Sequence, residues 1–97
     1  MTSMEKKLTE NRLTEVKAAL SAKYRTVNLD GEKFFVATDG AFFRVGVFPG
    51  AMALVIEYAD TEQEARQNAL EDGDRFYLDE TTLDEMLRLM IAEIERC

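Results

Sequence analysis

The densest group of residues able to do chemistry is Glu71-Asp72-Gly73-Asp74, followed by Asp79-Glu80. Carboxylates this close together can hold Ca²⁺ or Mg²⁺, or present a negative surface to a basic protein. The spacing does not fit an EF-hand loop, which needs alternating oxygen ligands and a Glu at its twelfth position. The structural alternative is a helix C-terminus and turn bearing solvated acids. Acids at that end oppose the helix dipole, at a cost of a few tenths of a kcal/mol to about 1 kcal/mol, and the cost is a reason to look for a use. Acid/base pairs can be drawn from the chain's 19 acidic residues in many ways, so no single pair stands out.

Other catalytic chemistry finds no residues. The chain has no histidine, which removes the commonest general base and metal ligand together with any Ser-His-Asp or Cys-His arrangement. Ser3 and Ser21 fall in or near a predicted helix with no base close in sequence, and no glycine-rich phosphate loop is present. Met86 and Met90 lie on an apolar helical stripe, where packing accounts for them. These features point to a non-enzymatic protein with no cofactor and no metal ligand set.

The elements that must position the acids follow from periodicity and turn chemistry. A first helix is predicted over about 4–22, starting either near Thr2-Ser3 or at Thr9 as N-cap, with Leu8 and Leu13 as a hydrophobic staple. Its stripe is Leu13, Val16, Leu20 and Tyr24. Strands are predicted over 24–29, 33–38, 41–48 and 52–58. The dipeptides Asp30-Gly31 and Asp39-Gly40 suggest type I′ hairpin turns, and Pro49-Gly50 breaks the third strand. Thr61-Glu62-Gln63-Glu64 is a capping box for a short helix to about Leu70, with Gly73 as its left-handed C-terminal residue. A short strand at 76–78 precedes a second box, Thr82-Leu83-Asp84-Glu85. The last helix is predicted from Leu83 to about Glu95, with the stripe Leu83, Met86, Leu87, Met90, Ile91 and Ile94. The order α-β-β-β-β-α-β-α implies one α+β domain over residues 1–97, an antiparallel sheet of four to five strands with helices before, between and after.

With two-residue turns, Val27, Phe34, Val36, Phe43 and Val45 share the better core face. The other face carries Thr26, Phe35, Ala37, Phe42 and Arg44. Two phenylalanines on that second face imply a cover, supplied by the first helix or by another subunit. Phe35, Phe42 and Arg44 therefore join Glu71, Asp72, Asp74, Asp79 and Glu80 as candidate partner-binding residues.

Charge narrows the partner. Residues 1–56 hold six acids and eight bases, whereas 57–97 hold thirteen acids and four bases, within a net charge of −7. Such a half-chain repels phosphate backbones, so nucleic acid is not an expected ligand, and it attracts basic protein surfaces. Acidic surfaces also serve solubility alone. No apolar run reaches the roughly 20 residues needed to span a bilayer. The first residues do not read as a signal peptide. The lone cysteine, Cys97, fits a reducing cytoplasm.

The stretch from Val55-Ile56-Glu57-Tyr58-Ala59-Asp60-Thr61-Glu62-Gln63-Glu64-Ala65 through Leu70-Glu71-Asp72-Gly73-Asp74-Arg75-Phe76-Tyr77-Leu78-Asp79 resembles small acidic proteins of Gram-positive bacteria. Some of these are grouped with predicted immunity proteins of polymorphic toxin systems. The resemblance covers less than half of the chain and includes no catalytic signature. It implies an inhibitor that blocks the surface of a toxin, often a basic nuclease. In general layout alone the chain is also similar to type III secretion chaperones, which implies a dimeric adaptor holding a peptide on its sheet. A small-molecule binder with a carboxylate-lined pocket is the third alternative.

Overall fold

The computed structural model describes residues 2–29 and 33–96. Thr2 caps the first helix, α1 (Ser3–Lys23). Its hydroxyl accepts the Glu5 N–H, and its own N–H donates to Glu5 Oε1 at 2.9 Å. The start is therefore the earlier of the two expected. Thr9 is no cap: it is buried and donates its hydroxyl to the Glu5 carbonyl at 2.8 Å. Leu8 is 48% exposed, so the expected staple does not form.

Five strands follow the order of the chain across one antiparallel sheet: β1 (Thr26–Leu29), β2 (Lys33–Ala37), β3 (Phe42–Val47), β4 (Ala53–Ala59) and β5 (Glu71–Tyr77). The helix α2 (Glu62–Arg66) connects β4 to β5, and α3 (Leu83–Arg96) is the last described element. The element order matches the sequence pattern, and the fold is α+β. Val16 and Leu20 of α1, and Met86, Met90 and Ile94 of α3, pack on one face of the sheet against Val36, Phe43, Val45, Leu54, Ile56 and Phe76. This is the main core. Tyr24 donates its phenol to Glu95 at 2.8 Å, tying the C-terminal ends of α1 and α3. Burial first, then this carboxylate, pushes the phenol up to about 12.

Three local expectations are corrected. The first is the register of β1. Leu29 pairs with Lys33 and Val27 with Phe35, so three residues rather than two separate the strands. One extra residue moves side chains to the opposite face. Val27 therefore packs with Phe35 on the second face, and Thr26 faces with Val36 on the first. The expected Asp30-Gly31 turn lies outside the described residues, as does Cys97.

The second correction concerns Asp39-Gly40. It links β2 to β3 in the expected register, with Val36 opposite Phe43, but neither residue has positive φ. Thr38 closes this turn instead: its hydroxyl both accepts the Ala41 N–H and donates to the Ala41 carbonyl, each at 3.2 Å. Gly50 does use its freedom. At φ +80 it follows Pro49 in a type II turn, in which Ala51 N–H reaches the Phe48 carbonyl at 3.3 Å.

The third correction is the largest. The α2 helix ends at Arg66, and its left-handed residue is Asn68 at φ 59, not Gly73. Bonds from Ala69 N–H to the Glu64 carbonyl (2.8 Å) and from Asn68 N–H to the Ala65 carbonyl (3.2 Å) complete a Schellman motif. The chain is then free to enter β5 at Glu71. The Glu-Asp-Gly-Asp segment thus forms the first four residues of a seven-residue strand in the main sheet, not a helix end and turn.

Candidate functional site: the acidic margin of the sheet

β5 pairs only with β4 and forms one edge of the sheet. The pairing runs Glu71–Tyr58, Asp72–Glu57, Val55–Arg75, Leu54–Phe76 and Ala53–Tyr77, with a bulge that sets Gly73 and Asp74 against Ile56. Glu71 leaves on the helix-covered face, where the Tyr58 phenol donates to it at 2.6 Å. Asp72 leaves on the second face beside Glu57. Asp79 and Glu80 follow in the exposed loop before α3, where Glu80 N–H bonds the Tyr77 carbonyl at 3.1 Å. At about 3.3 Å per residue, the five acids spread along a margin of roughly 25 Å instead of gathering round one turn. None lies at a helix C-terminus, so the dipole cost inferred from sequence does not arise.

None of these five acids forms an ion pair with a described base. Ion pairs among the described residues go elsewhere: Arg44 to Glu57 at 2.9 Å, Arg66 to Glu62 at 3.1 Å and Arg96 to Glu93 at 3.9 Å. Arg75 is the only base in β5, and its guanidinium stacks 4.3 Å from the Phe48 ring centroid.

The second candidate group is used internally. Phe35 is fully buried beneath Ala65 of α2 with Leu29 and Ala59, while Val27, Phe42 and Leu70 pack against this cluster and stay partly exposed. The cover on this face is α2 and the segment after it. α1, the cover foreseen within the chain, lies on the other face. Arg44 donates to Glu57 and, at 2.9 Å, to Asn68 Oδ1, and lies 6.0 Å from the Phe35 ring centroid. It fastens β3 to the C-terminal turn of α2. Of this group, Phe42 alone keeps an apolar surface towards solvent.

Glu93 is a site residue the sequence pattern concealed. It stands three residues after Met90 and seven after Met86, on the apolar stripe of α3, and that placement was its available signal. Its Oε1 accepts the Asp74 N–H at 3.3 Å, while its Oε2 is buried with no hydrogen-bond partner among the described residues. Burial, followed by the Asp74 charge, holds its carboxyl above the usual range, against the lowering effects of the Asp74 N–H and Arg96.

A carboxyl raised in the fold binds its proton more tightly folded than unfolded. Its favourable contribution is therefore present at low pH and fades as pH rises through the raised value. Glu93→Gln is expected to stabilise the protein by about 1 kcal/mol at pH 7, because it removes a buried charge. The gain over wild type should vanish below the ordinary carboxyl value of 4.5. Urea melts of both proteins from pH 3.5 to 7.5 check this; a difference that does not change with pH contradicts it.

The described residues contain no group of three or more His, Cys, Asp or Glu placed to hold a metal ion. They also contain no helix long and apolar enough to cross a membrane. A shallow cleft of about 350 Å³ lies beside the margin, lined by Leu8, Arg12, Met52, Leu78 and Asp79 among others, and Arg12 also donates to the Thr81 carbonyl at 3.1 Å. No protein-family model matches the chain, and no curated protein and no solved structure matches it.

Proposed function

We propose that this chain is a non-enzymatic protein-binding module that meets a basic partner protein through the margin formed by β5 and the loop leading to α3. The observation that carries this reading is the exposure of Asp72, Asp74, Asp79 and Glu80, with no ion pair to a described base. Their field projects outward and favours encounter with a cationic surface. An immunity-type inhibitor of a basic toxin is the specific form that the sequence resemblance implies.

Association kinetics with a partner recovered by affinity purification test this reading. Association should slow steeply with salt, because screening shortens to about 8 Å at 0.15 M. Reversing both Asp72 and Asp74 to Lys should lower the on-rate by about tenfold, with an unchanged fold, since exposed charges contribute little to stability. Salt-independent association, unaffected by the double reversal, would overturn it.

A second reading, the dimeric adaptor, has its own observation. A helix of only five residues covers the second face, and Val27, Phe42 and Leu70 remain partly exposed around it. Under this reading Phe42→Asp converts a dimer into a monomer in sedimentation analysis. A wild-type protein that is monomeric at every concentration excludes it.

A further inference from the structure

The two edges of the sheet are unequal. β1 has four residues, whereas β5 has seven and only β4 beside it. Glu71, Asp72, Asp74 and Arg75 are exposed, and α3 reaches this stretch through Glu93, whose carboxylate takes the Asp74 N–H. An open strand edge offers a row of backbone N–H and C=O groups to any extended chain that can pair with it.

Charge selects the occupant. Two copies of β5 paired with each other would bring three acids and one base from each strand to a single seam, and such an excess of like charge is unfavourable. A second copy is therefore disfavoured, and a strand bearing Lys or Arg is favoured. Negative charge flanks both faces of the edge. Glu71 leaves on the helix-covered face, while Asp72 leaves on the other face beside Glu57. We infer that the open edge of β5 docks an extended, lysine- or arginine-bearing segment of a protein partner as a sixth strand. This rests on the acidic margin being a protein-binding surface and adds main-chain pairing to it. Bulges and charges are also the means by which proteins blunt edges against self-association. Here the bulge divides the edge without closing it. Glu93 already occupies the Asp74 amide, which leaves pairing to the residues on either side.

The test uses the ¹⁵N-labelled full chain and two synthetic probes: a capped peptide of alternating lysine and valine, and the same peptide N-methylated at every residue, which keeps the charge but cannot donate main-chain hydrogen bonds. Binding of the first should raise hydrogen-exchange protection at alternate β5 amides by tenfold or more, leaving Asp74 unchanged. The methylated peptide should bind at least tenfold more weakly. Equal binding of both peptides without new protection overturns strand addition and leaves the acidic-surface reading standing. No binding of either overturns both. Protection of β5 in the free protein that grows with its own concentration assigns the edge to a second copy and overturns the basic strand.

Discussion

Phe43→Ala is expected to lower the free energy of unfolding by about 3–5 kcal/mol, the range for removing a fully buried aromatic side chain. The ring is 1% exposed and sits in the main core. Across the strands it meets Val36 and Tyr58, whose ring centroid lies 6.3 Å away at a tilt of 40°. Truncation leaves a void between a three-strand patch and the helices above it, which cannot collapse without moving both layers. A small domain has about 5–15 kcal/mol in total, so the variant should be marginal at room temperature. Phe43→Leu keeps most of the volume and should cost under about 1.5 kcal/mol. Phe35→Ala should cost as much as Phe43→Ala, because Phe35 is also fully buried, on the opposite face. Phe42→Ala should cost only about 1 kcal/mol, since its ring is partly solvated already. Urea melts of the four variants measure these values. A loss below about 1 kcal/mol for Phe43→Ala would contradict its place in the core.

The near-equality expected for Phe35 and Phe43 shows where sequence reasoning stops. Alternation identified two sheet faces with phenylalanines on each, and the β2–β3 register followed from the position of Asp39-Gly40. The helical stripes were legible as well. Val16, Leu20, Met86, Met90 and Ile94 are buried, whereas Leu89, off the stripe, is 37% exposed. The misassignment of Val27 came from counting loop residues: a dipeptide that fits a two-residue turn also fits within a three-residue loop, and a single residue exchanges the faces. The larger miss, β5, came from a competition between two helix stops. Asn68 and Gly73 can both supply a left-handed residue, and glycine is the commoner choice. The chain uses asparagine, which also accepts a hydrogen bond from Arg44, a contact invisible in local sequence. With Gly73 taken as a helix stop, the acids around it read as a turn. Placed in an edge strand, the same acids line the open edge of a sheet.

Gly73→Ala is expected to destabilise the fold by about 1–3 kcal/mol, although alanine in place of glycine within a strand ordinarily gains roughly 0.5–1 kcal/mol. The sign is reversed by space. A Cβ at position 73 would lie 2.6 Å from Glu93 Oε1, 2.9 Å from the Ile56 carbonyl oxygen and 3.0 Å from Ile56 Cγ2. Gly46 is the internal control: it lies in β3 with nothing within 4 Å of its added Cβ, and Gly46→Ala should be neutral or slightly stabilising. The Glu93 carboxylate ends a flexible side chain and can withdraw, but the Ile56 oxygen belongs to the backbone of β4 and cannot. Removing the carboxylate should therefore relieve only part of the cost. In a double-mutant cycle, Gly73→Ala should be less costly in a Glu93→Ala background by about 0.5–1.5 kcal/mol, a coupling expected of groups in contact. A neutral Gly73→Ala, or strict additivity with Glu93→Ala, would mean that α3 does not press on the bulge. If the coupling is present, glycine is required here by the close approach of a helix side chain to an edge strand. The same contact occupies the Asp74 amide at the centre of β5, so releasing it should also raise the hydrogen-exchange rate at Asp74 above that of its neighbours.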